Sequence, residues 1–290
     1  MRIEGSNDAI QTTVLTLLAM VAFAANSLLC RMALGEGHID AASFTTVRMA
    51  SGALTLFLIV LPQWRKSGRA PANWRSVATL FAYMAFFSFA YLSLSVGTGA
   101  LLLFGAVQLT MFVAALRAGE RFAAASWAGL ALAVTGLVYL LWPGVTAPDP
   151  LGAGLMIAAG AAWGAYSLLG RSMRNPLEAT ANNFILALPL ALVVSLLFLG
   201  DLRLSREGLM LAALSGAVAS GLGYVAWYAA LKGLTAARAA TVQLSVPVLA
   251  AVGGILLLAE PVTSRLVLAS AATLGGIAIV LAQKTRRRKR

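Results

Sequence analysis

Long apolar stretches separated by short polar segments run through the whole chain. Roughly 20 apolar residues in an α-helix cross the hydrocarbon core of a bilayer, so such stretches are typical of transmembrane helices. Prolines and glycines mark most junctions, Pro62 and the pair Gly97 and Gly99 among them, whereas Pro189 and Pro247 fall inside apolar stretches. The pattern predicts an all-α integral membrane protein with ten transmembrane helices, at 10–32, 41–62, 75–96, 98–117, 122–142, 151–170, 180–199, 207–231, 236–258 and 263–283.

The two halves of the chain resemble each other. The offset that places Arg31 on Arg171 also places Glu120 on Glu260. Since five helices per half is an odd number, the second half enters the membrane from the opposite side, which is the inverted repeat of many transporters. The predicted parts are a first five-helix half, a second five-helix half and a basic tail, over 1–145, 146–283 and 284–290.

Composition agrees with membrane residence: 60% of the 290 residues are hydrophobic, 11% are charged and the mean hydropathy is +0.85. Despite a net charge of +12, the basic residues lie in short loops and a tail, so nucleic-acid binding is not predicted. Most of the 22 Lys and Arg residues fall on the side of both termini, which the positive-inside rule makes cytoplasmic. We expect a multi-pass protein of the plasma (bacterial inner) membrane whose tail contacts anionic membrane lipid.

Each half closes its fourth helix with a glutamate, and in the second half the stretch 257–260 (Leu-Leu-Ala-Glu) precedes a glycine-rich helix through Gly275 and Gly276. Together with Gln243, Pro247 and Arg48, this pattern resembles the EamA family of the drug/metabolite transporter superfamily. The resemblance covers nearly the whole chain and implies a transporter.

The first half departs from the family pattern. Phe112 stands where the repeat places Pro247, so the helix kink expected in both halves is assured only in the second. The size of the chain, its uncharged aromatic spans and its basic tail are most similar to YddG-type exporters of aromatic and other amino acids.

Polar and aromatic residues within the spans are candidates for lining a cavity, because exposing polar groups to lipid is costly. A second offset, five residues smaller than the first, makes counterparts of Gln108 and Gln243. The aromatic side chains could instead form interfacial belts or packing contacts. The amides of Gln108 and Gln243 could form interhelical hydrogen bonds. The candidate substrate-binding residues are Asn26, Tyr83, Tyr91, Gln108, Trp163, Tyr166, Trp227, Tyr228, Gln243 and Ser245.

Charged residues within the spans are few. Arg48 either holds a substrate carboxylate or caps carbonyls near the outer surface, and Arg31 and Arg171 are expected to snorkel to the interface. All ten acidic residues lie in termini, loops or helix ends, which predicts a neutral cavity and facilitative or weakly coupled transport. His38 stands alone in an outer loop, and neither a metal site nor a cofactor is predicted.

The function predicted from the sequence is export or exchange of amino acids, aromatic and other neutral ones, and similar small metabolites, by alternating access of a functional monomer. Efflux of multiple drugs or other metabolites is the alternative within the superfamily, and a buried carboxylate would favour lipophilic cations as its substrates. An intramembrane enzyme would need a nucleophile with a base, or metal ligands, at membrane depth, and none is found there. A helical scaffold without transport activity also stays open.

Overall fold

The computed structural model describes residues 3–69, 71–171, 173–283 and 286–287. The predicted tail over 284–290 lies largely outside the described residues. The helices are α1 (Ile3–Gly35), α2 (Ala41–Ser67), α3 (Trp74–Ala90), α4 (Val96–Arg117), α5 (Ala124–Leu141), α6 (Pro150–Gly170), α7 (Pro176–Leu197), α8 (Arg206–Leu214), α9 (Gly223–Leu231), α10 (Ala236–Gln243), α11 (Ser245–Leu258) and α12 (Ser264–Ala282). A 3-10 turn (Leu199–Asp201) follows α7, a π-helical segment (Ser215–Leu222) joins α8 to α9, and strand β1 (Glu120–Arg121) pairs antiparallel with β2 (Arg286–Arg287).

These elements make ten spans. Within the described ranges, nine segments are long and apolar enough to cross a bilayer, counting 206–231 as one and 238–258 as another. The tenth is α3, whose 17 residues span about 26 Å at the rise of an α-helix. The prediction of an all-α membrane protein with ten helices is confirmed, whereas the two-half organisation and the cytoplasmic position of the termini stay predictions.

Several helix ends differ from the predicted ones. The third helix ends at Ala90 and not at 96, because Ser95 caps the start of α4 and accepts a hydrogen bond from the Thr98 N–H. Gly97 and Gly99 therefore lie inside α4 rather than between two helices. The second helix also continues past Pro62, to Ser67.

The ninth span is broken between α10 and α11. Pro247 has no N–H to donate to the carbonyl of Gln243, four residues earlier, and the chain forms a turn at Leu244, whose N–H bonds the Thr241 carbonyl at 3.1 Å. In the first half α4 is unbroken from Val96 to Arg117. The kink that Pro247 assured for the second half is thus present, whereas the one expected in the first half is not formed.

Helices from the two predicted halves pack against each other throughout. α3 and α4 pack on α6, α2 packs on α7, α1 packs on α9 and α11, and α5 packs on α12. We call the side on which α6, α9 and α12 end the terminal face, and the side on which α1, α3 and α11 end the distal face. The two faces are not equally closed, and this difference decides from which side a solute can enter.

Candidate functional site

A cavity of about 470 Å³ lies at the centre of the spans. Side chains from α1, α3, α4, α6, α9 and α10 form most of its wall. It continues to the terminal face, where Gly170, Leu231 and Leu281 line it together with the exposed Arg171. Its volume is within the range of about 300–1,000 Å³ in which proteins bind small molecules.

A continuous set of aromatic rings forms one wall of this cavity. The centre of the Trp163 ring is 4.8 Å from that of Tyr83, 5.7 Å from that of Tyr166 and 5.7 Å from that of Tyr224. Phe23 continues the wall towards Trp227, with 6.0 Å between ring centres. Ring edges and faces of this kind can pack against the apolar part of a solute.

Two tyrosine hydroxyls of the cavity wall are held by one threonine. The Thr180 hydroxyl of α7 is 2.9 Å from the Tyr166 hydroxyl and 2.9 Å from the Tyr228 hydroxyl, and the Asn183 amide donates to the Tyr166 hydroxyl at 3.3 Å. Since Thr180 and Asn183 are buried behind these rings, they fix where the two phenols point.

Arg48 lies just behind the distal end of the cavity and is only 1% exposed. Its Nη2 donates to the Tyr83 hydroxyl at 3.2 Å, its Nε donates to the Ser220 hydroxyl at 3.4 Å, and its guanidinium carbon lies 4.8 Å from the centre of the Phe87 ring. Its Nη1 is buried without a hydrogen-bond partner, and Arg48 forms no ion pair among the described side chains. Of its two predicted roles, capping of backbone carbonyls is not formed in the described part of the chain.

The polar groups around Arg48 turn their donors towards the cavity. The Tyr83 hydroxyl accepts from Arg48, which leaves its own proton available. The Asn26 Oδ1 accepts from Ser215 at 2.7 Å and from Ser220 at 3.4 Å, which leaves the Asn26 N–H groups available. Both Tyr83 and Asn26 line the cavity, so its distal end presents hydrogen-bond donors backed by a positive charge.

Gln108 and Gln243 both line the cavity, and neither side chain makes a hydrogen bond among the described residues. The interhelical hydrogen bonds that were an alternative for them are therefore not formed. Gln108 lies in the second half of α4, whereas Gln243 ends α10 in the first half of the ninth span. Their proposed equivalence by sequence offset is thus wrong. The fourth span (α4) and the ninth span (α10 and α11) start and end at corresponding positions of the two halves, which leaves no room for five extra residues.

Most of the candidate residues come together in this cavity. Two do not: Tyr91 is fully buried at the distal face, where its hydroxyl donates to the Val96 carbonyl at 3.4 Å, and the exposed Ser245 hydroxyl donates to the Val242 carbonyl at 2.7 Å. Tyr91 is misplaced because α3 ends one residue before it, and Ser245 because two positions along a helix point about 200° apart. The candidates that line the cavity are Asn26, Tyr83, Gln108, Trp163, Tyr166, Trp227, Tyr228 and Gln243.

Arg31 and Glu260 close the distal face. The Glu260 carboxylate accepts the Val96 N–H, the first of α4, with both oxygens at 2.9 Å, and its Oε1 is 3.8 Å from the Nε of Arg31. Arg31 also donates to the carbonyls of Tyr91 and Leu92, at 3.1 and 3.2 Å. Arg31 is therefore bound by protein groups and does not snorkel freely. We call this set the distal closure.

Several polar residues of the site were missed by the sequence analysis. Thr180 and Asn183 hold the tyrosine hydroxyls, and Ser215 and Ser220 of the π-helical segment hold Asn26. Thr180 and Asn183 carried a usable signal, because the seventh span begins with polar residues and such residues within a membrane seldom face lipid. The two serines gave none, since a π-helical segment cannot be distinguished from α-helix by hydropathy.

Ten spans around a central cavity that reaches one face define a multi-pass membrane protein of the transporter class. The model of the EamA-like transporter family matches residues 150–282. An uncharacterized protein of Pseudomonas aeruginosa is 54% identical over 280 residues, covering 97% of this chain and 98% of that protein. An uncharacterized transporter of Archaeoglobus fulgidus is 28% identical over 247 residues, covering 80% of this chain and 86% of that protein.

The chain belongs to the EamA-like transporter family, and the family indicates a membrane transporter of small molecules. A solved crystal structure shares the fold, with a TM-score of 0.68 at 19% identity, covering 93% of this chain and 96% of that chain. The predicted membership of the drug/metabolite transporter superfamily is confirmed. Its YddG-type specificity stays a prediction.

Proposed function

We propose that the protein exports or exchanges amino acids, aromatic and other neutral ones, and similar small metabolites, by alternating access to the central cavity. The observation that supports it best is the arrangement around Arg48. A buried guanidinium with an unpaired Nη1 stands behind hydrogen-bond donors that point into an aromatic cavity. This specificity is that of the YddG-type exporters that the sequence resembles.

The carboxylate of an amino acid is the ligand that fits the distal end. A buried positive charge without a counter-ion is unfavourable, and an anion held by charge-assisted hydrogen bonds offsets that cost. The Tyr83 hydroxyl and the Asn26 amide can donate to such a carboxylate while Arg48 supplies the charge. A cation would be repelled at the same place.

The rest of an amino acid fits the remainder of the wall. Its side chain can pack on the rings of Trp163 and Tyr224, which explains a preference for apolar and aromatic side chains. The unbonded amide oxygens of Gln108 and Gln243 are the acceptors offered to the ammonium group. No acidic residue lines the described cavity, which disfavours the alternative of lipophilic cation efflux.

The test is counterflow of radiolabelled phenylalanine into liposomes that contain the purified protein. We expect saturable counterflow, reduced strongly in Trp163→Ala and Gln243→Ala. The matched control is Ser245→Ala, two residues from Gln243 but outside the cavity, which should transport like the unchanged protein. Absence of counterflow for every amino acid, with transport of a quaternary ammonium dye in its place, would move the assignment to drug efflux.

A further inference from the structure

The distal closure joins groups from both ends of the sequence. Arg31, the carbonyls of Tyr91 and Leu92, and the first N–H of α4 come from the first half, whereas Glu260 comes from the second. A left-handed residue, Ala259 (φ 51°), turns the chain after α11 and aims the carboxylate at α4. Every one of these parts has a counterpart in the chain.

The counterparts follow from the offset that places Arg31 on Arg171. That offset places Glu260 on Glu120, and Ala259 on Gly119, which has the same left-handed backbone (φ 81°). It also places Ser95, which caps α4, on Thr235, which caps α10. The carbonyls at 91–92, after the end of α3, fall on those at 231–232, at the end of α9.

These counterparts meet no such partners in the present structure. The exposed Arg171 makes a contact of 3.8 Å with the Met111 sulfur, and the backbone of Glu120 pairs with Arg287. Glu120 and Arg171, both in the described part of the chain, form no ion pair with each other. The cavity reaches the terminal face where they lie apart.

We propose that Glu120 and Arg171 close the terminal face when the cavity opens to the distal face. In that state the Glu120 carboxylate accepts the first N–H of α10, and Arg171 pairs with Glu120 and donates to the carbonyls of Leu231 and Lys232. The distal closure is broken in the same state, so the two closures exclude each other. The proposal rests on alternating access but not on the identity of the substrate.

Physical chemistry gives both closures the same source of stability. A carboxylate at a helix N-terminus satisfies free N–H groups and the positive end of the helix dipole. An arginine at a helix C-terminus satisfies free carbonyls at the negative end. Because Glu120 and Glu260 would each stabilise one state only, their balance sets the population of the two states.

Cysteine labelling tests this directly. Cys30, the single cysteine, is first replaced by Ser. Ala240→Cys then reports on the terminal face and Ala100→Cys on the distal face. These two alanines are counterparts at the same offset, yet Ala240 lines the open cavity whereas Ala100 is fully buried. Each variant is reacted with a hydrophilic maleimide in detergent micelles, where both faces are accessible and no substrate is needed.

Loss of either carboxylate should shift labelling in opposite directions. Glu260→Gln should raise the labelling rate of Ala100→Cys and lower that of Ala240→Cys, whereas Glu120→Gln should lower the residual rate at Ala100→Cys. The expected change is about fivefold, equivalent to ~1 kcal/mol, as for a charge at a helix N-terminus. If Glu120→Gln and Arg171→Gln leave both rates unchanged while Glu260→Gln alters them, the second closure does not exist.

A cross-link measures the approach of the two positions on the terminal face directly, without relying on labelling rates. Glu120→Cys and Arg171→Cys, combined in one chain without Cys30, should be joined by a short bifunctional thiol reagent, with a higher yield when Glu260→Gln is also present. The same pair in a chain bearing unchanged Glu260 serves as the comparison. No cross-link in either background would overturn the proposal, whether or not amino acids are transported.

Discussion

Replacing Tyr83 by Phe should weaken the preference for a carboxylate and leave the aromatic wall intact. The ring centre of Tyr83 is 4.8 Å from Trp163 and 5.6 Å from Phe87, and Phe can keep both contacts. The lost hydroxyl is the donor that Arg48 supports. A hydrogen bond to a charged group contributes about 1.5–3 kcal/mol, so phenylalanine should bind roughly 10- to 150-fold more weakly.

The assay is competition in the counterflow experiment by phenylalanine, by its carboxamide and by phenethylamine, which lacks the carboxyl group. The unchanged protein should prefer phenylalanine, and this preference should be much smaller in Tyr83→Phe, which keeps only Asn26 and the charge of Arg48. Tyr91→Phe is the matched control, because it also removes a buried tyrosine hydroxyl at this end of the protein but lies outside the cavity. Equal discrimination by the unchanged protein and Tyr83→Phe would refute the reasoning.

Three further substitutions separate binding from packing. Thr180→Ala frees the hydroxyl of Tyr228 and should weaken phenylalanine binding by about 1 kcal/mol without lowering the melting temperature much, as binding and melting curves would show. Ser126→Ala removes a buried hydroxyl that has no partner and should leave the melting temperature unchanged or raise it. Gly276→Leu would press a side chain onto the backbone of Gly129 where α12 packs on α5, and should destabilise the protein by about 1–3 kcal/mol or more, seen as loss of monodisperse protein on gel filtration.

Hydropathy predicted the number of spans because lipid imposes one requirement on every span, an apolar length without unpaired backbone groups. Hydropathy failed where the apolar stretch of sequence continues beyond the end of the helix. Leu92 and Leu94 continue the apolar pattern beyond Ala90, but the chain turns there and Ser95 starts a new helix. Hydrogen bonds, which leave no mark on hydropathy, form where α3 ends: the turns over 91–94 and the bonds that Arg31 donates to the Tyr91 and Leu92 carbonyls.

The site followed from helical spacing wherever the helix was continuous. Tyr83 and Phe87 share a face of α3 and both line the cavity, whereas Tyr91, the next in the series, lies beyond the helix end. The environment of Arg48 could not be foreseen in this way. Its partners Tyr83 and Ser220 come from spans far apart in the chain, and no sequence offset relates them.

Charge balance over the transport cycle leads to a last prediction, about energetic coupling. No acidic side chain lines the described cavity, and the carboxylate of Glu260 lies at the distal face, bound to α4 and Arg31. A zwitterion that crosses by exchange adds no net charge, so counterflow of phenylalanine should proceed at the same rate with or without a proton gradient or a membrane potential. If a proton gradient accelerates transport, a group must titrate during the cycle, and Glu260 is the first candidate because opening the distal face releases it. In that case Glu260→Gln should abolish the acceleration, whereas an acceleration that survives this substitution would contradict both the neutral cavity and this candidate.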